Sequence, residues 1–210
     1  MRIENRIKTK IKICGLRRRE DILAVNESGP DYCGFIFNVS GSRRSIGAEQ
    51  LNILVDMLNP ESVPIGVFVN EKTDVILRIV RESGIRMVQL HGQENGEIIH
   101  TIQSKAQVPV IKAVSVRSKE DVRSAVLSPA DYLLFDCGEG GTGQTFDWNL
   151  LEDIPRPYFM AGGIGTHNME EVLRRFSPFA LDVNSSVETD RQKDGKKILA
   201  AVRMLRTLAE

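Results

Sequence analysis
The chain has 210 residues, with 28 basic and 28 acidic side chains and a formal net charge of zero. That balance removes any general electrostatic case for binding nucleic acid or a membrane surface. Apolar residues at 41% and charged residues at 27% suit a globular protein long enough to bury one full core, and no apolar run approaches the ~20 residues of a membrane span. Met1–Lys8 is charged and has no apolar stretch, so it does not read as a secretory signal. The cysteines are Cys14, Cys33 and Cys137. Three is an odd number and no CxxC pair is present, so they read as free thiols in a reducing cytoplasm, without a disulfide framework or a metal site.

Lys10–Gly15 alternates charged and branched apolar residues and predicts a strand. Counting by twos puts Lys10, Lys12 and Cys14 on one face and Ile11 and Ile13 on the other. Leu16–Ser28 predicts a helix with Ile22, Leu23 and Val25 inward, stopped by Gly29-Pro30. Asp31–Phe37 is a strand, followed by a polar loop that carries Arg43 and Arg44, then by a helix over Ala48–Leu58. Pro64–Val69 is a strand and Glu71–Ser83 a helix capped by Gly84. Arg86–Leu90 is a strand ending at His91, and Glu94–Lys105 is a helix weakened by Gly96. Pro109–Val114 is a strand and Lys119–Leu127 a helix with Ser118 as N-cap. Tyr132–Phe135 is a strand running into Asp136, followed by the glycine loop Gly138–Gly143 and a short helix over Phe146–Leu151. Tyr158–Ala161, Asn168–Phe176, Phe179–Val183 and Gly195–Leu208 complete the series as strand, helix, strand and helix. Roughly eight strand–helix units in sequence predict a single-domain α/β protein, a (β/α)₈ TIM barrel over residues 1–210 with 1–7 as an N-terminal extension. A doubly wound open sheet is the alternative, disfavoured by the number of units and by the lack of GxGxxG after the first strand.

In a barrel the chemistry sits at the C-terminal strand ends. Those ends carry Cys14, the Arg43-Arg44 loop, Asn70, His91, Asp136, Gly162-Gly163 and Asp182. Cys14 is either an inert packed thiol or, beside lysine, an ionisable base. Asp136 is either a cap for the glycine loop or a general acid, its pKa raised by desolvation unless a cation lies near. Three polar, glycine- or serine-rich stretches, around Gly140–Gly143, Gly162-Gly163 and Asn184-Ser185-Ser186, offer backbone amides for a phosphate. Arg43 or Arg44 can fork onto a carboxylate, or the loop is simply a solvated basic one. His91 reads as a hydrogen-bonding group or as a satisfied strand-end histidine. The set suits proton transfer on a sugar phosphate with a second anionic group, and no metal-ligand cluster or dinucleotide fingerprint is visible.

Lys12-Ile13-Cys14-Gly15, Gly34–Phe37, Gly66–Asn70, Val88–Gly92, Gly140–Trp148, Ala161–Ile164 and Asp182–Glu188, in this order and spacing, resemble the phosphoribosylanthranilate isomerase family. The resemblance implies a (β/α)₈ barrel that carries out the third step of tryptophan biosynthesis from chorismate, an aldose–ketose (Amadori) isomerisation, without a cofactor or metal. It makes Cys14 the general base and Asp136 the general acid. It gives Arg44 the anthranilate carboxylate and places the phosphate on Gly141, Gly143, Gly162, Gly163, Ser185 and Ser186. His91 and Asp182 are expected to contact substrate. The expected partner is the small molecule phosphoribosylanthranilate, with no nucleic acid and no membrane, for a cytoplasmic monomer or homodimer. The alternatives are a non-catalytic sugar-phosphate-binding barrel, or a related barrel enzyme such as the histidine-pathway isomerase or indoleglycerol-phosphate synthase. The former of these enzymes pairs two aspartates and the latter uses lysine and glutamate, rather than a cysteine with an aspartate.

Overall fold
The computed structural model describes residues 8–136, 148–151 and 154–208. Eight parallel strands form its centre: β1 (Lys10–Cys14), β2 (Tyr32–Phe37), β3 (Val63–Phe68), β4 (Met87–Leu90), β5 (Val110–Ser115), β6 (Tyr132–Asp136), β7 (Tyr158–Met160) and β8 (Ala180–Val183). Each pairs with its neighbours in sequence. β1 pairs with both β2 and β8, which closes the sheet into a barrel. The helices are α1 (Arg19–Ser28), α2 (Ala48–Asp56), α3 (Thr73–Ser83), α4 (Gly96–Ala106), α5 (Lys119–Val126), α6 (Met169–Arg175) and α7 (Gly195–Leu208), with a 3₁₀ turn at Trp148–Leu151 between β6 and β7.

Strand alternation divides the core in two. Ile11 and Ile13 are fully buried in the layer between strands and helices, with Phe35, Leu133, Phe135 and Leu181. Each such side chain contributes about 1.5–3 kcal/mol by leaving water. The opposite faces fill the barrel, where Tyr32, Ile65, Met87, Ile111, Leu134, Phe159 and Ala180 form a separate apolar cluster. Toward the C-terminal strand ends this filling turns polar. Lys12, Gln89 and Asp182 occupy the interior there, all buried.

Local signals account for most element ends. Gly29 and Gly84 terminate α1 and α3 in the left-handed conformation, and Ser118 caps α5 in a reciprocal box with Asp121. Three expectations need correction. α1 begins at Arg19, not Leu16, because Gly15 turns the chain at φ +78° and the Asp21 carboxylate accepts from the backbone N–H groups of Arg17 and Arg18. Leu23 is 62% exposed, since in a helix that turns Ile22 and Val25 inward the residue directly after Ile22 is carried about 100° further round, away from Val25 and toward solvent. Glu94 lies outside α4, which starts at Gly96 with the Asn95 side chain accepting from the Ile98 N–H. Glu94 is instead buried against Lys112 at 2.8 Å and accepts from the backbone N–H groups of Asn70 and Gly92, tying together the loops after β3 and β4.

Candidate active site
The first strand brings its base candidate to the barrel mouth. Cys14 ends β1 at 4% exposure. Lys12, two residues back on the same face, is completely buried and sends its Nζ to Cys14 Sγ at 3.3 Å, Gln89 Oε1 at 2.6 Å and Asp182 Oδ2 at 2.8 Å. Register explains the last contact, because closure sets Lys12 directly beside Asp182. Gly34, beside Cys14 on β2, provides the room. A Cβ there would lie 2.8 Å from the thiol sulfur and 2.9 Å from Lys12 Cε.

Burial alone would push the Lys12 ammonium down, but the charges of Asp182 and of an ionised Cys14 outweigh it and hold Lys12 above its ordinary value. For Cys14 the balance goes the other way. Burial raises the thiol more than Lys12 lowers it, so it sits above its usual range. The expectation that a neighbouring lysine makes this thiol ionise more readily than an ordinary cysteine is therefore not met: burial outweighs Lys12. Cys33 lies in the helix-facing layer, its thiol pushed up to about 12 chiefly by burial.

Asp136 ends β6 with its side chain 18% exposed, and its Oδ2 lies 3.3 Å from His91 Nε2. His91 Nδ1 is in turn 2.8 Å from Gln89 Nε2. Gln89 received no role in the sequence reading. Its position two residues before His91, on the same strand face, was the available signal.

Arg44 reaches the same cavity from the loop after β2. Its Nε and Nη2 donate to the two oxygens of Glu188 at 2.6 and 3.0 Å. Glu188 also pairs with Arg43 at 2.6 Å and with the buried Lys193 at 3.0 Å. Burial would raise the Glu188 carboxyl, but bonds from Arg44 and Lys193 hold it down at about 2. Three cations on one carboxylate leave net positive charge at this edge of the mouth. Gly15 permits the approach, since a Cβ there would meet Arg44 Cδ at 2.6 Å. Glu188 and Lys193 were not singled out from sequence. Glu188 meets Arg44 across 144 residues of chain, a pairing that no local pattern reports, and Lys193 joins the site through that same carboxylate.

These groups surround a cavity of about 360 Å³ whose wall includes Cys14, Arg44, His91, Asp136, Gly162, Gly163, Asp182 and Ser185, together with Gln89 and Asn184. Gly162 and Gly163 follow β7 in left-handed conformations, φ +88° and +69°, a geometry that lets backbone amides converge on an anion. Ser186 is not on this wall, and its hydroxyl donates to the Ile164 carbonyl at 2.6 Å. Gly141 and Gly143 lie outside the described residues. Asp182 Oδ1 is buried with no hydrogen-bond partner among the described residues. Among those residues, no cluster of three or more His, Cys, Asp or Glu side chains could hold a metal ion, and no helix is long and apolar enough to cross a membrane.

A closed parallel (β/α)₈ barrel with a thiol, a carboxyl, an arginine and two glycine amides around one C-terminal cavity defines a barrel enzyme for a small polar substrate. Comparison with known proteins narrows the class. The model of the N-(5'-phosphoribosyl)anthranilate (PRA) isomerase family matches residues 11–204. The N-(5'-phosphoribosyl)anthranilate isomerase of Endomicrobium trichonymphae is 40% identical over 203 residues, 95% of this chain and 99% of that protein. Two solved structures superpose across 95% of this chain and 99% of theirs, both 33% identical. One is of monomers generated from the dimeric isomerase of Thermotoga maritima, with a TM-score of 0.85. The other is a phosphoribosyl anthranilate isomerase in complex with reduced 1-(o-carboxyphenylamino)-1-deoxyribulose 5-phosphate, with a TM-score of 0.84. The chain belongs to the phosphoribosylanthranilate isomerase family.

Proposed function
We propose that this barrel converts N-(5'-phosphoribosyl)anthranilate to 1-(2-carboxyphenylamino)-1-deoxyribulose 5-phosphate, the Amadori step of tryptophan biosynthesis, with Asp136 as acid and Cys14 as base. The observation that carries the assignment is that both groups stand on the wall of one cavity in a chain of this family. Asp136 gives a proton to the ribose ring oxygen as the C1'–O bond opens, leaving a Schiff base. Cys14 thiolate then removes the proton from C2', and the resulting enolamine tautomerises to the ketose. No cofactor enters these steps.

Arg44 takes the anthranilate carboxylate, for which Nη1 remains unengaged among the described residues. Gly162, Gly163 and Ser185 hold the phosphate through backbone N–H groups. Ser186 contributes by its own N–H, its hydroxyl being committed, and Gly141 and Gly143 join this set by resemblance alone. Asp182 Oδ1, without a hydrogen-bond partner among the described residues, is suited to accept from a sugar hydroxyl, and His91 contacts substrate beside Asp136. The whole chain forms one domain and works in the cytoplasm as a monomer or homodimer, with its small substrate as ligand and without nucleic acid or membrane.

Turnover is followed as loss of substrate fluorescence. Cys14→Ser and Asp136→Asn are each expected to lower kcat by about 10²–10⁴-fold, the usual worth of a positioned acid or base. Turnover surviving either change at the wild-type level would remove that residue from its role, and failure of the wild-type gene to rescue a tryptophan auxotroph lacking the isomerase would sink the activity itself.

A further inference from the structure
A chain of polar contacts runs along and just beneath the cavity wall from β1 to β6, and its donors and acceptors can be assigned from chemistry alone. It runs Cys14 Sγ, Lys12 Nζ, Gln89, His91, Asp136, with separations of 3.3, 2.6, 2.8 and 3.3 Å. A lysine ammonium only donates, so the Gln89 atom 2.6 Å from it must be the carbonyl oxygen. The other end of that side chain is then the amide NH₂, which also only donates. His91 Nδ1, 2.8 Å away, must therefore accept. In the neutral ring this leaves the single proton on Nε2, the nitrogen beside Asp136 Oδ2. Gln89 is 1% exposed and Lys12 fully buried, so water does not compete for either group.

We infer that Lys12 and Gln89 are positioning residues that lock His91 in its Nε2–H form, so that Asp136 Oδ2 faces a donor and the acidic proton of Asp136 resides on Oδ1. The lysine that touches the base thereby also orients the acid, through an amide that cannot flip without setting NH₂ against the ammonium. No proton travels along the chain, because the amide transmits orientation only. The catalytic consequence rests on the assignment of Asp136 as the acid, whereas the tautomer itself does not.

Nitrogen-15 spectra of the labelled full chain, resolving the rings of His91, His100 and His167 with a His91 variant for assignment, read the tautomer in the wild-type protein directly. The expected pattern is a protonated Nε2 and an unprotonated Nδ1 for His91. Gln89→Glu retains the acceptor for Lys12 and replaces NH₂ by a second acceptor, so a proton is expected to appear on Nδ1. With it, kcat should fall about 10- to 100-fold while KM changes much less. A wild-type Nδ1–H ring, an unchanged ring pattern in Gln89→Glu, or a tautomer switch without loss of kcat would each overturn the inference. Full activity in Asp136→Asn would instead overturn the acid assignment and leave the tautomer standing, so the two failures are distinguishable.

Discussion
At the residue scale, the site depends on one buried cation. Lys12 is surrounded by an amide oxygen, a carboxylate and a thiol, and without those partners its charge would be untenable in a barrel interior. Lys12→Met leaves the Asp182 carboxylate buried without its cation. We expect a loss of about 3–5 kcal/mol of stability in urea unfolding and a further rise in the pH at which Cys14 becomes reactive to iodoacetamide. An unchanged reactivity profile would mean that Lys12 does not act on the thiol. The wild-type thiol itself lies above its usual range through burial. The thiolate fraction of the free enzyme therefore grows with pH through the alkaline region, and kcat/KM should climb with it. A kcat/KM that is flat from neutral to alkaline pH would argue against a Cys14 base that must ionise in the free enzyme.

At the scale of elements, the loop after β2 and the segment after β8 are fastened by Glu188, which holds Arg43, Arg44 and Lys193 together. The folded carboxyl sits at about 2, below its ordinary value of 4.5. A depressed carboxyl stabilises fully above its unfolded pKa, and that contribution is lost as pH falls toward the folded one. The fastening should therefore weaken between about pH 4.5 and 2, and Glu188→Gln should flatten the thermal-melting profile over that interval. An identical profile for the variant would refute the fastening. These elements also divide what was legible in the sequence from what was not. Period-two strands, the Ser118 cap and the glycine stops of α1 and α3 are local, and they could be read directly. Cys14, His91, Asp136 and Asp182 could be gathered at one mouth because strand ends converge in any barrel. The recruitment of Glu94 by Lys112 and the Glu188–Arg44 pair depend on partners remote in sequence, so composition and spacing did not reveal them, whereas the outward turn of Leu23 follows from the helical period itself.

At the scale of the molecule, the barrel has two ends with different duties. The lower interior is aromatic, with the Phe159 ring centroid 5.5 Å from Tyr32, 5.8 Å from Tyr132 and 5.6 Å from Phe179, and none of these residues lines the cavity. Phe159→Ala should cost about 3–5 kcal/mol yet leave KM and kcat of the folded fraction close to wild type. A selective loss of kcat in fully folded protein would contradict this division. Barrel closure adds a requirement of timing. The salt bridge from Lys12 to Asp182 spans 170 residues, joining the first strand to the last. During synthesis the lysine emerges 170 residues ahead of its counter-charge. A partly made barrel holds an unmatched ammonium where its interior should be dry, which penalises premature collapse around β1. Arrival of β8 removes that penalty in the same event that brings Asp182 to the cavity wall, so closing the barrel and neutralising its buried lysine are one step.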